Sequence, residues 1–126
     1  MGRPFANSDS THQRGRRAEK AGERWLADQG YRIVARNYRT PVGEIDLIAQ
    51  DGDTLCFIEI KARTSSAYGP AITAISPHQQ SRVARAASLY LLRAGWEGPC
   101  RFDALGLDWA GEKWTFTLLR SAFEAG

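Results

Sequence analysis

Three features of this sequence predict an α/β fold, one mixed β-sheet of about five strands with helices packed against it. Apolar residues recur at helical spacing near residues 15–29 and 77–94, runs rich in Ile, Leu, Val, Phe and Thr lie between and after them, and the turn signals Asp51-Gly52 and Ala110-Gly111 separate successive runs. The 126 residues make one domain, long enough for a single hydrophobic core.

Residues 1–13 are polar, carry Gly, Pro, Asn and Ser without periodicity, and read as a disordered arm ahead of a single domain over 14–126. In the first helix, from about Gly15 to Gln29, the buried stripe is Ala18, Ala21, Gly22, Trp25 and Leu26, and Gly30 ends it. At about 100° per residue, Glu19 falls at the edge of that stripe within reach of the sheet, whereas Glu23 lies farther round toward solvent.

Tyr31 to Ala35 reads as a first strand, and Pro41 with Gly43 loosens the chain before the next. Residues 45–49 and 54–60 are the paired strands of a hairpin. With Asp51 and Gly52 as its loop, Gln50 pairs with Asp53, Ile48 with Leu55, Asp46 with Phe57 and Glu44 with Glu59. Asp46 and Glu59 are then diagonal neighbours on one face, and Lys61 joins them because strand side chains alternate.

Thr64 to Thr73 is expected as a loop. A second helix opens at Ser76-Pro77-His78-Gln79, where Ser76 caps, Pro77 takes the first helical position and Gln79 closes a capping box, and it runs to about Ala94. Its apolar face is Val83, Ala86, Ala87, Tyr90 and Leu91, with Arg82 and Arg85 flanking and Gln80 one turn ahead. Arg101 to Leu107 and Trp114 to Leu119 complete the sheet.

Like charges on paired strands destabilise a sheet, and burying them is costly unless a cation or hydrogen bonds compensate. A Mg²⁺ or Mn²⁺ ion would compensate here. Magnesium takes oxygen ligands, keeps several waters, and asks the protein for one or two carboxylates while phosphate oxygens supply the rest; Asp46 and Glu59 fit that share. The Ile60 carbonyl can add a ligand, Glu19 can orient a ligand water, and Lys61 can position an attacking water or stabilise charge building on a phosphate. That chemistry is metal-assisted phosphodiester hydrolysis. The competing reading is a structural ionic cluster in which Lys61 pairs with Glu59 and Arg63 helps, and Glu44 reads as a strand-edge charge or supporting residue.

A net charge of +3 and a pI near 9.1 point only weakly to nucleic acid. Of the 17 basic residues, however, only Lys20, Lys61 and Lys113 are lysines. The rest are arginines, whose planar fork suits phosphate, and Arg39, Arg63, Arg82 and Arg85 are candidates for that contact. Cys56 and Cys100 fit no zinc pattern and read as reduced core residues of a cytoplasmic protein. The four tryptophans read as packing residues. No signal-like apolar stretch and no run of about 20 apolar residues is present, which leaves out a membrane role. A P-loop, a Rossmann glycine pattern and a histidine cluster are also missing.

An acid, a spacer and Glu59-Ile60-Lys61 on a hairpin behind a helix bearing Glu19 resemble the PD-(D/E)xK nuclease core of restriction endonucleases and Holliday junction resolvases. The closer resemblance is to the UPF0102 (YraN-like) family. It covers about Gly15 to Phe123 through Glu19-x3-Glu23, Asn37-Tyr38-Arg39, Gly43-Glu44-Ile45-Asp46-Leu47-Ile48, Phe57-Ile58-Glu59-Ile60-Lys61-Ala62-Arg63, Gln80-x-Arg82, Arg101-Phe102-Asp103 and Ala122-Phe123. The resemblance implies a restriction-endonuclease-like core, a catalytic set of Glu19, Asp46, Glu59 and Lys61 with Gln80 in support, and Mg²⁺ or Mn²⁺ as cofactor. It further implies DNA as partner, branched or structured if the resolvase likeness extends to substrate, and a homodimer if two strands are cut symmetrically. The chain departs from the pattern at Ala18, where a glycine commonly precedes the helix glutamate, and at Gln79, where a lysine often precedes Gln80. The first would crowd the helix against the sheet and the second would weaken phosphate contact. A binding module without catalysis and a protein-interaction domain are the alternative functions, because fold does not guarantee activity.

Overall fold

Cap chemistry sets the start of the second helix as the sequence predicts. Ser76 accepts from the Gln79 N–H at 3.2 Å, Gln79 accepts from the Ser76 N–H at 3.1 Å, and Pro77 fills the first turn, where no donor is lost. The structure is a computed structural model that describes residues 11–124, with side chains from residue 16 onward. Its elements are α1 (Thr11–Asp28), β1 (Arg32–Thr40), β2 (Gly43–Asp51), β3 (Thr54–Arg63), a short 3₁₀ turn (Ala71–Ala74), α2 (Pro77–Ala94), β4 (Cys100–Ala110) and β5 (Lys113–Leu119). Of the arm expected over 1–13, residues 1–10 lie outside the described part, and α1 has begun at Thr11.

The five strands form one sheet in chain order, with β3 and β4 parallel and every other pair antiparallel. A parallel pair needs a long crossover, and α2 provides it. The two helices cover opposite faces. Leu47, Ala49, Ile58, Leu105 and Leu107 pack under Ala18 and Leu26 of α1, while Ile45, Ile48, Phe57 and Leu55 pack under Val83, Ala86 and Ala87 of α2. The four tryptophans are packing residues: Trp25 stacks on Phe116 at 5.1 Å, Trp109 meets Trp114 edge-on at 5.1 Å, and Trp96 lies against the α2-side core. Ala18 is 3% exposed within the α1-side core.

Several expectations need correction. β1 does not end at Ala35 but continues to Thr40 as half of a hairpin with β2, closed by Pro41 and Val42. The Thr40 hydroxyl makes this turn by accepting from the Val42 and Gly43 N–H groups at 3.2 and 3.1 Å and donating to the Gly43 carbonyl at 2.9 Å. Pro41 sits where no ladder donor is needed. The loop expected to Thr73 gives way to the 3₁₀ turn, whose Ala71 N–H is held by Asp108 at 3.0 Å. Cys100 is exposed rather than buried, because it is the first residue of β4 at the end of the sheet; Cys56 is in the core.

One buried charge fastens this scaffold. Asp103 is fully buried and accepts from Tyr31 Oη at 3.0 Å, Arg101 Nε and Nη2 at 2.7 and 2.9 Å, and the Ser121 N–H at 3.0 Å. The chain after α1, the middle of β4 and the segment after β5 thereby meet on one carboxylate. Removing one partner of a buried ion pair generally costs about 3–5 kcal/mol.

The approach of α2 to β2 depends on a missing side chain. A Cβ on Gly43 would stand 1.9 Å from the Arg82 carbonyl oxygen, a backbone atom that cannot swing aside. Gly43→Ala is therefore expected to lower stability by about 1–3 kcal/mol or more through overpacking, read as a drop in the urea midpoint at unchanged slope. A variant as stable as the parent would show that α2 does not press on β2 in solution.

Candidate active site at the fork of β2 and β3

The β2–β3 ladder stops at Leu47 and Ile58, although β2 reaches back to Gly43 and β3 runs on to Arg63. Past that point the strands part. The Ile60 N–H donates to Asp46 Oδ2 at 2.7 Å, so a carboxylate takes up a donor that regular pairing would give to a backbone carbonyl. On the other side of β2 the β1–β2 register shifts between Ile33 and Ala35; from Arg36 with Leu47 to Tyr38 with Ile45 it is kept, which sets Asn37 level with Asp46. Asn37 has φ +49°, a left-handed conformation that asparagine tolerates better than most residues. Ile45 and Ile48 both face α2, whereas Leu47 and Ala49 face α1, so the alternation of β2 breaks at Asp46.

The register differs from the expected one by two residues. Gln50 pairs with Leu55 and Ile48 with Phe57, and the hairpin loop is Gly52-Asp53 instead of Asp51-Gly52. Gly52, at φ +63°, occupies the first loop position, where a two-residue turn favours glycine. Asp51 stays in the strand because Arg101 holds its carboxylate at 2.9 Å and Arg120 approaches it at 3.6 Å. A shift of two leaves every side chain on its face. Continued one step past the ladder, this register brings Asp46 level with Glu59 instead of diagonal to it.

Glu59 is 8% exposed and is hydrogen-bonded through its side chain to the half-buried Asp46. Burial, and next the Asp46 charge, push the Glu59 carboxyl up to about 9. Burial also raises Asp46, against the hydrogen bonds from Glu59 and the Ile60 N–H and the nearby Lys61 charge. Two carboxylates joined by a hydrogen bond in a buried place resist ionising together even beside Lys61, so the pair shares a proton. Glu19, half-buried on α1, is raised by burial and then by the Asp46 charge, while a hydrogen bond from Asn37 and the Arg39 charge act the other way. Asp46 thus connects the expected set: its charge acts on Glu19 and Glu59, and Lys61 acts on both Asp46 and Glu59.

The remaining expected residues are spread more widely. Glu44 is exposed and pairs with Arg39 at 3.6 Å. Gln80 and Arg85 line a different groove, on α2 with Ser81, Ala84 and Glu124. Arg82 sets its carbonyl against Gly43, and Arg63 donates to the carbonyls of Tyr68 and Gly69 at 2.7 and 2.9 Å. Glu23 does not point to solvent: both its oxygens are held by Arg36 Nε at 2.8 and 2.9 Å, because the lengthened β1 runs beneath α1 and presents that arginine. Asn37 was not singled out as a site residue by sequence reasoning. Its signal was the Asn37-Tyr38-Arg39 motif, which counted toward the family resemblance without a role of its own. A groove of about 570 Å³ between α1 and the β1–β2 edge opens onto Glu19 and Asp46, with Arg16, Lys20 and Arg24 along it.

Residues 18–107, which contain the helix glutamate, the fork and most of β4, match the family described as Uncharacterised protein family UPF0102. The chain belongs to UPF0102. A UPF0102 protein of Desulfosudis oleivorans is 46% identical across 90% of this chain and 91% of its own. That of Symbiobacterium thermophilum is 50% identical across 75% and 80%, and that of Chromohalobacter salexigens 40% identical across 95% and 97%. UPF0102 proteins and this chain are therefore similar over nearly the whole domain, and its mixed sheet between two helices is a restriction-endonuclease-like α/β core.

The shared proton makes the stability of this UPF0102 domain depend on pH. Unfolded, Glu59 ionises near 4.5; folded, it keeps its proton to about 9. Below the first value both states are protonated. Between the two values only the unfolded chain has lost the proton, so stability falls as pH rises, and above the second it falls no further. With divalent ions chelated, Glu59→Gln is expected to flatten this slope and to melt several degrees above the parent at pH 8. Parallel melting curves for the two proteins from pH 4.5 to 9 would contradict a shared proton.

Proposed function

We propose that this UPF0102 protein is a Mg²⁺- or Mn²⁺-dependent nuclease that hydrolyses DNA phosphodiester bonds, with branched or structured DNA as its substrate. The observation that carries the reading is the buried Asp46–Glu59 pair, pinned by the Ile60 N–H where two strands diverge. A scaffold gains no stability from two like acids in that position, and a divalent cation relieves the conflict.

The donor set fits such an ion. Among the described residues no three His, Cys, Asp or Glu converge as a closed cage. Two carboxylates and an open side are what magnesium asks of a protein when phosphate oxygens and water complete its shell. When bound, the ion would polarise the phosphate and favour ionisation of a nearby water. Asp46 and Glu59 would hold it, with Asp46 oriented by the Ile60 N–H. Lys61, the next outward side chain on β3, places a positive charge where the phosphorane gains negative charge. Glu19, held toward protonation by its surroundings, lines the α1 groove with Asp46 and would orient water there. The arginines and lysine along the α1 groove make backbone contacts with the phosphates of the strand. Symmetric cutting of two strands in branched DNA would require two copies of this site, hence a homodimer.

The test is cleavage of labelled duplex, single-stranded, flap and four-way-junction DNA by the parent, Glu59→Ala and Lys61→Ala with Mg²⁺ or Mn²⁺. Metal-dependent cutting is expected from the parent, with losses on the order of 100-fold or more in each variant. Cutting equal to the variant background on every substrate would sink the catalytic reading. Melting at pH 8 supplies a second readout: Mg²⁺ is expected to raise the parent's midpoint and to leave Asp46→Ala unmoved. No shift in the parent would favour a structural ionic cluster.

A further inference from the structure

Asn37 has a backbone conformation that does not belong to a strand. Among the described residues, Asn37 and Ser121 are the non-glycine residues with positive φ, at +49° and +53°. Ser121 lies in the turn after β5, whereas Asn37 lies inside β1, in a stretch where the pairing with β2 keeps its register. A left-handed residue within a strand is strained, and such strain gathers at functional sites.

The strained position coincides with a change of face on two strands. Ala35 and Tyr38 both pack on the α2-side core, and so do their partners Ile48 and Ile45. Strand side chains alternate, so residues three apart in a regular strand face opposite ways. Here one extra residue is turned on each strand at matched positions, Arg36-Asn37 on β1 and Asp46-Leu47 on β2. All four line the α1 groove together with Glu19. Three of them are accounted for: Arg36 holds Glu23, Leu47 enters the α1-side core, and Asp46 takes the Ile60 N–H. The fourth, Asn37, is exposed in the groove and hydrogen-bonds to Glu19 through its side chain. Glycine would make the same turn without strain. What asparagine adds is an amide beside the Glu19 carboxylate.

We propose that Asn37 is a positioning residue, whose side-chain N–H holds the Glu19 carboxylate in the groove beside Asp46 so that a free Glu19 oxygen accepts from water. The inference rests on the nuclease reading, in which Glu19 orients water, and adds a residue that acts through Glu19 rather than on the phosphate. Burial and the Asp46 charge drive the Glu19 carboxyl toward protonation, and the bond from Asn37 opposes them. An ionised Glu19 is acceptor-only, with one oxygen for Asn37 and the other for water. Removing a partner that orients the groups around a metal site typically costs about 10- to 100-fold in activity.

The experiment measures kcat and KM for Mg²⁺-dependent cutting of labelled duplex, single-stranded, flap and four-way-junction DNA, with urea unfolding of each protein. The proteins are the full-length parent, Asn37→Gly, Asn37→Asp, Glu19→Ala, and Glu19→Ala combined with Asn37→Gly. Asn37→Gly keeps the turn and removes the amide; Asn37→Asp keeps the size and replaces the donor by an acceptor. Both are expected to lose about 10- to 100-fold in kcat, at unchanged KM and with no fall in urea midpoint. In the Glu19→Ala background, Asn37→Gly is expected to cost nothing further, because the group it holds is gone. Parent-like kcat in Asn37→Gly, a loss confined to KM, a loss that multiplies with that of Glu19→Ala, or a lower urea midpoint in both Asn37 variants would each overturn the positioning role and leave the nuclease reading standing. If the parent cuts no substrate, both fall.

Discussion

The arrangement of this molecule depends on one backbone donor that the sheet does not satisfy. Where β2 and β3 part, the Ile60 N–H has no ladder acceptor, and the Asp46 carboxylate takes that place at 2.7 Å. A buried N–H without an acceptor is rarely tolerated, so the strands can diverge only because an acidic side chain closes the gap. The same hydrogen bond fixes Asp46 against Glu59. Divergence, acid placement and the shared proton are consequences of one local constraint.

Rigid elements hold that constraint in place. α2 lies tight on β2 because Gly43 has no side chain to keep the Arg82 carbonyl away, and α1 brings Glu19 over the opposite side of the fork. At the centre of β4, Asp103 gathers Tyr31, Arg101 and Ser121, so the segments entering and leaving the sheet are tied to a strand that runs parallel to β3. Sites built on packed strands and helices hold their geometry more closely than sites on loops. The catalytic candidates are all on such elements.

Charge connects the scaffold to the proposed chemistry. The α1-side groove carries Arg16, Lys20 and Arg24 up to Glu19 and Asp46, so positive potential along the approach meets the acids of the fork. A modest net charge of +3 conceals this separation. Ion pairs such as Arg36 with Glu23 and Arg39 with Glu44 tie up other charged side chains around the fork.

By itself the sequence determined the elements and the identity of the acids. Helical periodicity, the Ser76 and Gln79 caps and the strand-like runs are local properties, set by neighbours a few residues away, and they specified α2 and the order of the strands. The placement of Asp46, Glu59 and Lys61 on neighbouring strands was legible for the same reason, since alternation survives a two-residue change in register. Tertiary structure decided what depends on residues distant in the chain. Arg101 and Arg120 hold Asp51 in its strand and set the hairpin loop, β1 is lengthened by pairing with β2 and brings Arg36 to Glu23, and Arg63 turns from the acids to loop 64–70. The break in alternation at Asp46, which gives the site its geometry, requires β1, β2 and β3 together, because the left-handed Asn37 on β1 and the Ile60 N–H on β3, held by the Asp46 carboxylate, meet β2 only in the folded sheet.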